Sequence, residues 1–332
     1  MFPSWFHITL VIKQQISTII DQQFVGKRLD KVVVELFDGA YSRSRLSAWI
    51  RDGLVTIDGE AVMKPGHKLE NGKKLELTVP EVEIPEPGSS LEPTIIYEDA
   101  LLAVINKPAG LPMHANSVGD TQMCVSNWLV AKYGDKLPIC QGKERPGIVH
   151  RLDKETSGVC IVSFDEEAFV HLQQQFAART VEKEYHAISY GVPRFKSDWI
   201  EKRLKADPRK PTRVTTTELT GVGTRDALSY WEVIEYFSDT CLLRIKPSTG
   251  RKHQIRVHLC SAELPIVGDP IYRAKNYGAG LLPEDSPLVM RTLLHAYRIQ
   301  FTHPRTNEKV EFCVDYPQEM QNLLTHLRSA NV

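Results

Sequence analysis

Asp153 stands in the chain's densest run of polar chemistry. Over Arg145-Pro-Gly-Ile-Val-His-Arg-Leu-Asp-Lys-Glu-Thr-Ser-Gly158, the apolar pair Ile148-Val149 gives way to seven polar or charged residues around one leucine, and an apolar run resumes at Val159. A polar break between runs fit for burial is a loop on a rigid scaffold, a favoured place for reactive groups. Arg151 and Lys154 flank the carboxylate, and adjacent cations favour the charged form of a carboxyl group. Taken alone, the pattern describes a salt-bridged turn as well as it describes a reactive carboxylate.

A second concentration lies in Cys241–Cys260, CLLRIKPSTGRKHQIRVHLC, with five Lys/Arg and no Asp or Glu. His253–Leu259 alternates with period two, which predicts a strand with Ile255, Val257 and Leu259 behind and Gln254, Arg256 and His258 in front. An Arg-centred polar front suits a phosphate or carboxylate partner. His253 and His258 would fall on opposite strand faces, so no metal site is expected from them. Lys202–Arg213 carries six Lys/Arg against one Asp and, with Pro208 and Pro211, is expected to be a loop that grips a backbone or is merely solvated. Arg43 and Arg45 lie near the start of a helix, where backbone N–H groups favour phosphate; a solvated helix face explains two arginines equally well.

The elements around these residues fall into a small module and a large one. Leu29, Val33 and Leu36, then Leu46, Trp49 and Ile50, recur at helical spacing; Ser42 is a candidate cap for the second helix, and Gly53 suits its end. Asp58-Gly59 between Val55-Thr56-Ile57 and Ala61-Val62 predicts a hairpin, and Lys74–Val79 a further strand. Residues 80–93, PEVEIPEPGSSLEP, hold four prolines and four glutamates and read as an extended linker. Beyond it, strands are expected at Leu101–Ile105, Val159–Phe164, Val181–Tyr190, Ala227–Ile234 and Leu242–Lys246. Asp165 should cap a helix that presents Phe169, Leu172 and Phe176 on one face. Without regular β-α alternation, the expected class is α+β, with a mixed, mainly antiparallel sheet. The boundaries are a leader at 1–20, a module at 21–79, a linker at 80–93 and a large domain at 94–332.

Lys and Arg balance Asp and Glu at 41 each, so any affinity for nucleic acid must come from local patches. The six cysteines (124, 140, 160, 241, 260, 313) form no C-x-x-C pair, which fits a cytoplasmic protein without a zinc ribbon or disulfide framework. The apolar stretch in MFPSWFHITLVIK is too short to span a bilayer, so no membrane partner is expected. Phosphate-binding glycine loops, G-x-S-x-G and H-E-x-x-H are absent. His150-Arg151-Leu152-Asp153 has the wrong order for a kinase catalytic loop, and no Gly-rich loop or D-F-G accompanies it.

His150-Arg-Leu-Asp-Lys-Glu-Thr-Ser-Gly158 resembles the H-R-L-D-x-x-T-S-G signature of the RluA-type pseudouridine synthases. Ile105-Asn-Lys-Pro108, Glu182-Lys-Glu-Tyr185, Thr249-Gly-Arg-Lys-His-Gln-Ile-Arg-Val-His258, Val267-Gly-Asp-Pro-Ile-Tyr272 and Leu294-His-Ala296 are similar to the family's other motifs, in the same order. The module opening Arg28-Leu29-Asp30 resembles the S4-type RNA-binding domain of several members. The two-domain plan is most similar to members that modify large-subunit ribosomal RNA. The resemblance implies a cofactor-free isomerase that converts uridine to pseudouridine in RNA, acting as a monomer in the cytoplasm. It implies Asp153 as nucleophile, Arg256 as its partner, and Tyr185 as a platform for the uracil and a candidate base. Arg151 would fill the place of a flipped uridine. Lys107, His150, Thr156, Arg251, Arg43 and Arg45 would contact substrate. Two other readings remain open on the residues alone. One is a glycosidase or nuclease, which needs a second carboxylate that only Glu155 offers. The other is a non-catalytic ribosome-assembly factor, which leaves Asp153, Tyr185 and Arg256 unexplained.

Overall fold

A computed structural model of the chain describes residues 11–36, 43–81, 91–114, 123–134, 137–138, 140, 145–210, 213–273, 289 and 291–330. It divides into two compact units, one of residues 1–89 with 114–148, the other of 90–113 with 149–332. In the first, α1 (Leu29–Leu36) and α2 (Arg43–Arg51) bury Leu29, Val32, Val33, Leu46, Trp49 and Ile50 in one apolar core, together with residues of a four-stranded antiparallel sheet. The strands are β1 (Val11–Ile19), β2 (Val55–Ile57), β3 (Glu60–Ala61) and β4 (Lys74–Glu81), in the order β1-β4-β2-β3. Part of the segment read as a leader is thus a paired edge strand. Asp58 and Gly59, at φ 51° and 84°, make the expected hairpin turn, and Gly53 at φ 76° ends α2. The Ser42 cap, the Arg45 side chain and linker residues 82–90 lie outside what is described.

Asp30, almost fully buried in the first turn of α1, accepts from Arg28 (3.0 and 3.2 Å) and from Arg43 (2.7 Å). The Arg28 hydrogen bond, against the opposing effect of burial and with help from Arg43, lowers its pKa from 3.8 to about 2. The resulting stability is present above pH 3.8 and lost as pH falls towards 2. Both guanidiniums are half-exposed and solvent-screened, so Asp30→Asn is expected to cost about 1–2 kcal/mol at neutral pH. Urea titrations at pH 7 and pH 3 check this: the deficit of the variant shrinks at the lower pH.

The second unit is built on a nine-stranded sheet. Its strands are β5 (Thr94–Glu98), β6 (Leu102–Lys107), β7 (Ser157–Ser163), β8 (Glu182–Tyr190), β9 (Ser197–Glu201), β13 (Leu228–Tyr236), β14 (Thr240–Pro247), β15 (Leu294–Thr302) and β16 (Lys309–Cys313). The order is β5-β6-β7-β15-β8-β14-β13-β9, with β16 also beside β15. Every pairing is antiparallel except β7 with β15, where His295 and Ala296 meet Ser157 and Gly158. The α+β expectation therefore holds. Between β7 and β8 runs α4 (Glu166–Ala178), whose cap Asp165 accepts from the Ala168 amide at 2.8 Å and which buries Phe169 and Leu172. α6 (Gln318–Ala330) packs Met320, Leu323 and Leu324 against Ile188 and Leu242. In the first unit, α3 (Val125–Tyr133) buries Trp128 and Leu129. No described helix is long and apolar enough to cross a membrane.

Two expectations are corrected. Lys202–Arg213 is not simply a loop: β10 (Arg203–Ala206) pairs with β11 (Val214–Thr217) and β12 (Thr224–Arg225) in a three-stranded sheet, and only the tip turns. The stretch His253–Leu259 is not a strand but α5 (Gln254–Ser261), with His253 at φ 54° as its N-cap. The alternation misled because this helix is buried on nearly every side, polar residues included. Gln254 donates to the Leu228 carbonyl and to Ser229 (both 3.0 Å), and His258 is held by Ser229 (3.0 Å) and the Lys202 carbonyl (3.1 Å). Both ring nitrogens of His258 are thus engaged, which removes it from any ligand set for a reason other than strand geometry.

Candidate active site

Asp153 sits in a tight turn that leads into β7, closed by the Thr156 amide donating to the Asp153 carbonyl at 3.1 Å. Two buried cations hold the backbone just after it. Lys107, with no exposed surface, donates to the carbonyls of Pro108 (2.8 Å), Leu111 (2.9 Å) and Lys154 (3.0 Å). Arg291 donates to the Glu155 carbonyl and the Ser157 hydroxyl (both 3.1 Å), while its Nε holds Glu319 at 2.7 Å. The Gly110 amide also donates to the Lys154 carbonyl, at 2.9 Å. Upstream, His150 accepts the Ile161 amide at 2.9 Å and stacks on Phe176 at 4.7 Å. The turn is therefore rigid while the Asp153 carboxylate keeps 19 % of its surface open.

α5 supplies the counter-charge. Arg256, 6 % exposed, reaches Asp153 Oδ2 with Nη1 at 3.4 Å. Its firmer hold is on Asp269, to which Nε and Nη2 donate at 2.6 and 2.8 Å. Asp269 is fixed in turn by the amides of Ile271 (2.9 Å) and Tyr272 (3.0 Å), and the Tyr272 ring lies 5.2 Å from the guanidinium. Burial opposes the Arg256 charge, but the hydrogen bonds and charge of Asp269, with Asp153 adding, raise its pKa above the ordinary value. A fixed cation thus faces a fixed carboxylate that remains partly open to solvent.

Tyr185 comes from β8, where it pairs with Ile245 of β14 and Ala296 of β15. Burial, then the nearby Cys160 and Asp153, push its phenol well above the usual range, so it is neutral at pH 7. The structure thus joins Arg256 to Asp153, with Tyr185 near enough for the Asp153 charge to act on its phenol.

The expected substrate contacts divide. Arg151 and Arg251 are exposed; Arg251 donates from Nε to the Asp226 carbonyl at 3.3 Å. Arg43 belongs to the other unit and is engaged with Asp30. Lys107, His150 and Thr156 are engaged within the fold. All three donor hydrogens of Lys107 are taken by carbonyls, and burial pushes its pKa down to about 7. His150 spends Nε2 on a backbone amide, and burial, with Lys183 nearby, pushes its pKa down to about 3. Thr156 is buried. All three help to build the loop that carries Asp153.

Sequence reasoning missed three members. Asp269 and Tyr272 lie in a motif quoted above, and an Asp two and three residues ahead of amides it can cap was a usable signal. Arg291 acts on backbone carbonyls, which no motif displays. Asp269→Asn keeps the shape and loses the charge that anchors Arg256. It is expected to lower turnover about 10–100-fold, as loss of an outer partner of a catalytic group does, with RNA affinity retained. Single-turnover kinetics beside filter binding check this.

The profile of the RNA pseudouridylate synthase family matches residues 101–261, and that of the S4 domain residues 27–74. The ribosomal large subunit pseudouridine synthase D of Neisseria meningitidis serogroup A is 34 % identical over 323 residues, 95 % of this chain and 83 % of that one. An uncharacterized RNA pseudouridine synthase of Bacillus subtilis is 33 % identical over 318 residues, 95 % of this chain and 98 % of that one. Among solved structures, human RNA pseudouridylate synthase domain containing 4 superposes with a TM-score of 0.57 at 26 % identity, covering 71 % of this chain and 93 % of that one. The Asp153 turn, Tyr185 and α5 all fall inside the matched region, and on that combined ground the chain belongs to the RNA pseudouridylate synthase family.

Proposed function

We propose that this protein converts uridine to pseudouridine in large-subunit ribosomal RNA, acting as a monomer in the cytoplasm, with Asp153 as the nucleophile. The observation that carries the reading is the Asp153 carboxylate held open in a pinned turn, opposite an Arg256 that Asp269 fixes from behind. The target is taken from relatives such as the Neisseria enzyme, whose name states the large ribosomal subunit.

A uridine inside a helix is out of reach and must be flipped out; Arg151, exposed and two residues from Asp153, fills the vacated stack. The carboxylate bonds to a sugar or base carbon of the flipped nucleotide, which divides one hard step into easier ones. The bond between C1′ and the ring nitrogen breaks, the uracil turns over, and its C5 bonds to C1′. The C5 proton leaves to solvent, the ring nitrogen freed from C1′ takes up a proton, and the carboxylate is released. No atoms or electrons are gained, so no co-reactant is required. Tyr185, kept a phenol by burial, suits packing against the uracil better than taking the C5 proton. The S4-like module at 21–79 grips RNA beyond the target.

The test is release of tritium from C5-labelled uracil in large-subunit RNA transcripts and particles, followed by mapping of the modified positions. Release with pseudouridine at discrete sites supports the reading. No release from either substrate refutes the target.

A further inference from the structure

Lys183 lies on β8 two residues from Tyr185, so the two side chains share one face of the strand about 7 Å apart. Its stem is largely buried, and among the described residues its ammonium has no hydrogen bond and no ion pair. The Nζ stands 6.0 Å from the Phe176 ring centre, the same ring on which His150 stacks. On its other side it is 3.8 Å from where a Cβ on Gly250 would be, so the absent side chain leaves space beside the charge. His150 precedes exposed Arg151 and Gly250 precedes exposed Arg251. The ammonium thus lies near the ring that packs on His150 and near Gly250, each next in sequence to an exposed arginine.

A half-buried cation with no carboxylate is costly for a fold to keep. Burial pushes its pKa down to about 8, and no acidic neighbour offsets the effect. The neighbouring Lys107 shows what this unit does with a structural ammonium: it surrounds it with three carbonyls. Lys183 has no such cage, which points to a partner that arrives with the substrate. An RNA strand carries one anion at every linkage, and a flipped nucleotide brings its flanking phosphates to the mouth of the pocket.

We infer that Lys183 binds a backbone phosphate flanking the target uridine. The inference rests on the uridine-isomerisation reading, and its test separates the two. Affinity for a large-subunit RNA transcript is measured as a function of KCl in the Asp153→Asn background, with Lys183 native or replaced by Met or Arg. Lys183→Met is expected to flatten the plot of log affinity against log salt by about 0.7–0.9, one counterion's worth, and Lys183→Arg to restore it. In the Asp153-containing protein, Lys183→Met raises KM about tenfold, as loss of one charge-assisted hydrogen bond does. Methionine in place of an unpaired ammonium fills the same space, so thermal unfolding is not lowered.

An unchanged salt slope in Lys183→Met overturns the inference, whatever happens to turnover. So does a Lys183→Arg protein as flat as the Met variant. Because binding is read without turnover, absence of tritium release by the wild type counts against the isomerisation and not against the phosphate contact.

Discussion

Asp153→Asn is expected to release tritium from uracil C5 about 10⁴-fold more slowly than the wild type, or not measurably, as removal of a covalent nucleophile does. Asparagine keeps the shape and can still accept a hydrogen bond from Arg256, but its amide oxygen is a poor nucleophile. The geometry around it should survive, because Arg256 is held chiefly by Asp269 and the turn by Lys107 and Arg291, none of which touch the Asp153 side chain more closely than 3.4 Å. RNA affinity should be kept or raised slightly, since a negative charge has left a site that receives a polyanion. Single-turnover tritium release beside filter binding reads both quantities. Release at the wild-type rate would move the nucleophile elsewhere. Glu155 is a poor substitute, since its own carbonyl is tied down by Arg291 as part of the turn.

Gly158→Ala should be severely damaging, costing about 4 kcal/mol or more and leaving little folded protein. Gly158 has φ +115°, a conformation that L side chains rarely adopt. A Cβ there would lie 2.2 Å from the Ala296 carbonyl oxygen and 2.7 Å from its nitrogen. Both are backbone atoms of β15, so the clash is relieved only by parting β7 from β15. That parting would also loosen the Asp153 turn five residues upstream. Gly72→Ala makes the control: φ is +78° but nothing lies within 4 Å, so only the backbone penalty of about 1 kcal/mol remains. Denaturant midpoints for the two variants decide whether strand proximity or φ alone governs the loss.

The sequence announced elements whose signals are local. Asp58-Gly59 made its hairpin, Asp165 capped α4, and Gly53 closed α2, each through contacts a few residues long. Asp153, Tyr185 and Arg256 were singled out by the resemblance to a known family; on the residues alone the Asp153 run described a salt-bridged turn equally well. The failures share a cause in burial. α5 looked like a strand because Gln254, Arg256 and His258 were assumed to face solvent, whereas each is buried and satisfied by a distant partner. Lys107 was named as a substrate contact by the resemblance alone, and its enclosure by three carbonyls could not be read from the residues around it. Arg291 stayed invisible because it recognises main-chain oxygens that every residue possesses.

The place of β15 in the sheet has a consequence for synthesis. β7 and β8 are neighbours along the chain, yet β15 lies between them and pairs with both. Roughly a hundred residues separate Tyr190 from Leu294, which at about 5–20 residues per second is about 5–20 s of elongation. Throughout that interval a nascent chain displays two strands whose shared partner has not yet been made, a state prone to mispairing. Gly158 meets Ala296 only at the end of it, so the Asp153 turn acquires its final backing late in translation. A ribosome stalled before residue 294 would carry a chain with Asp153, Tyr185 and Arg256 all present and their site still unformed.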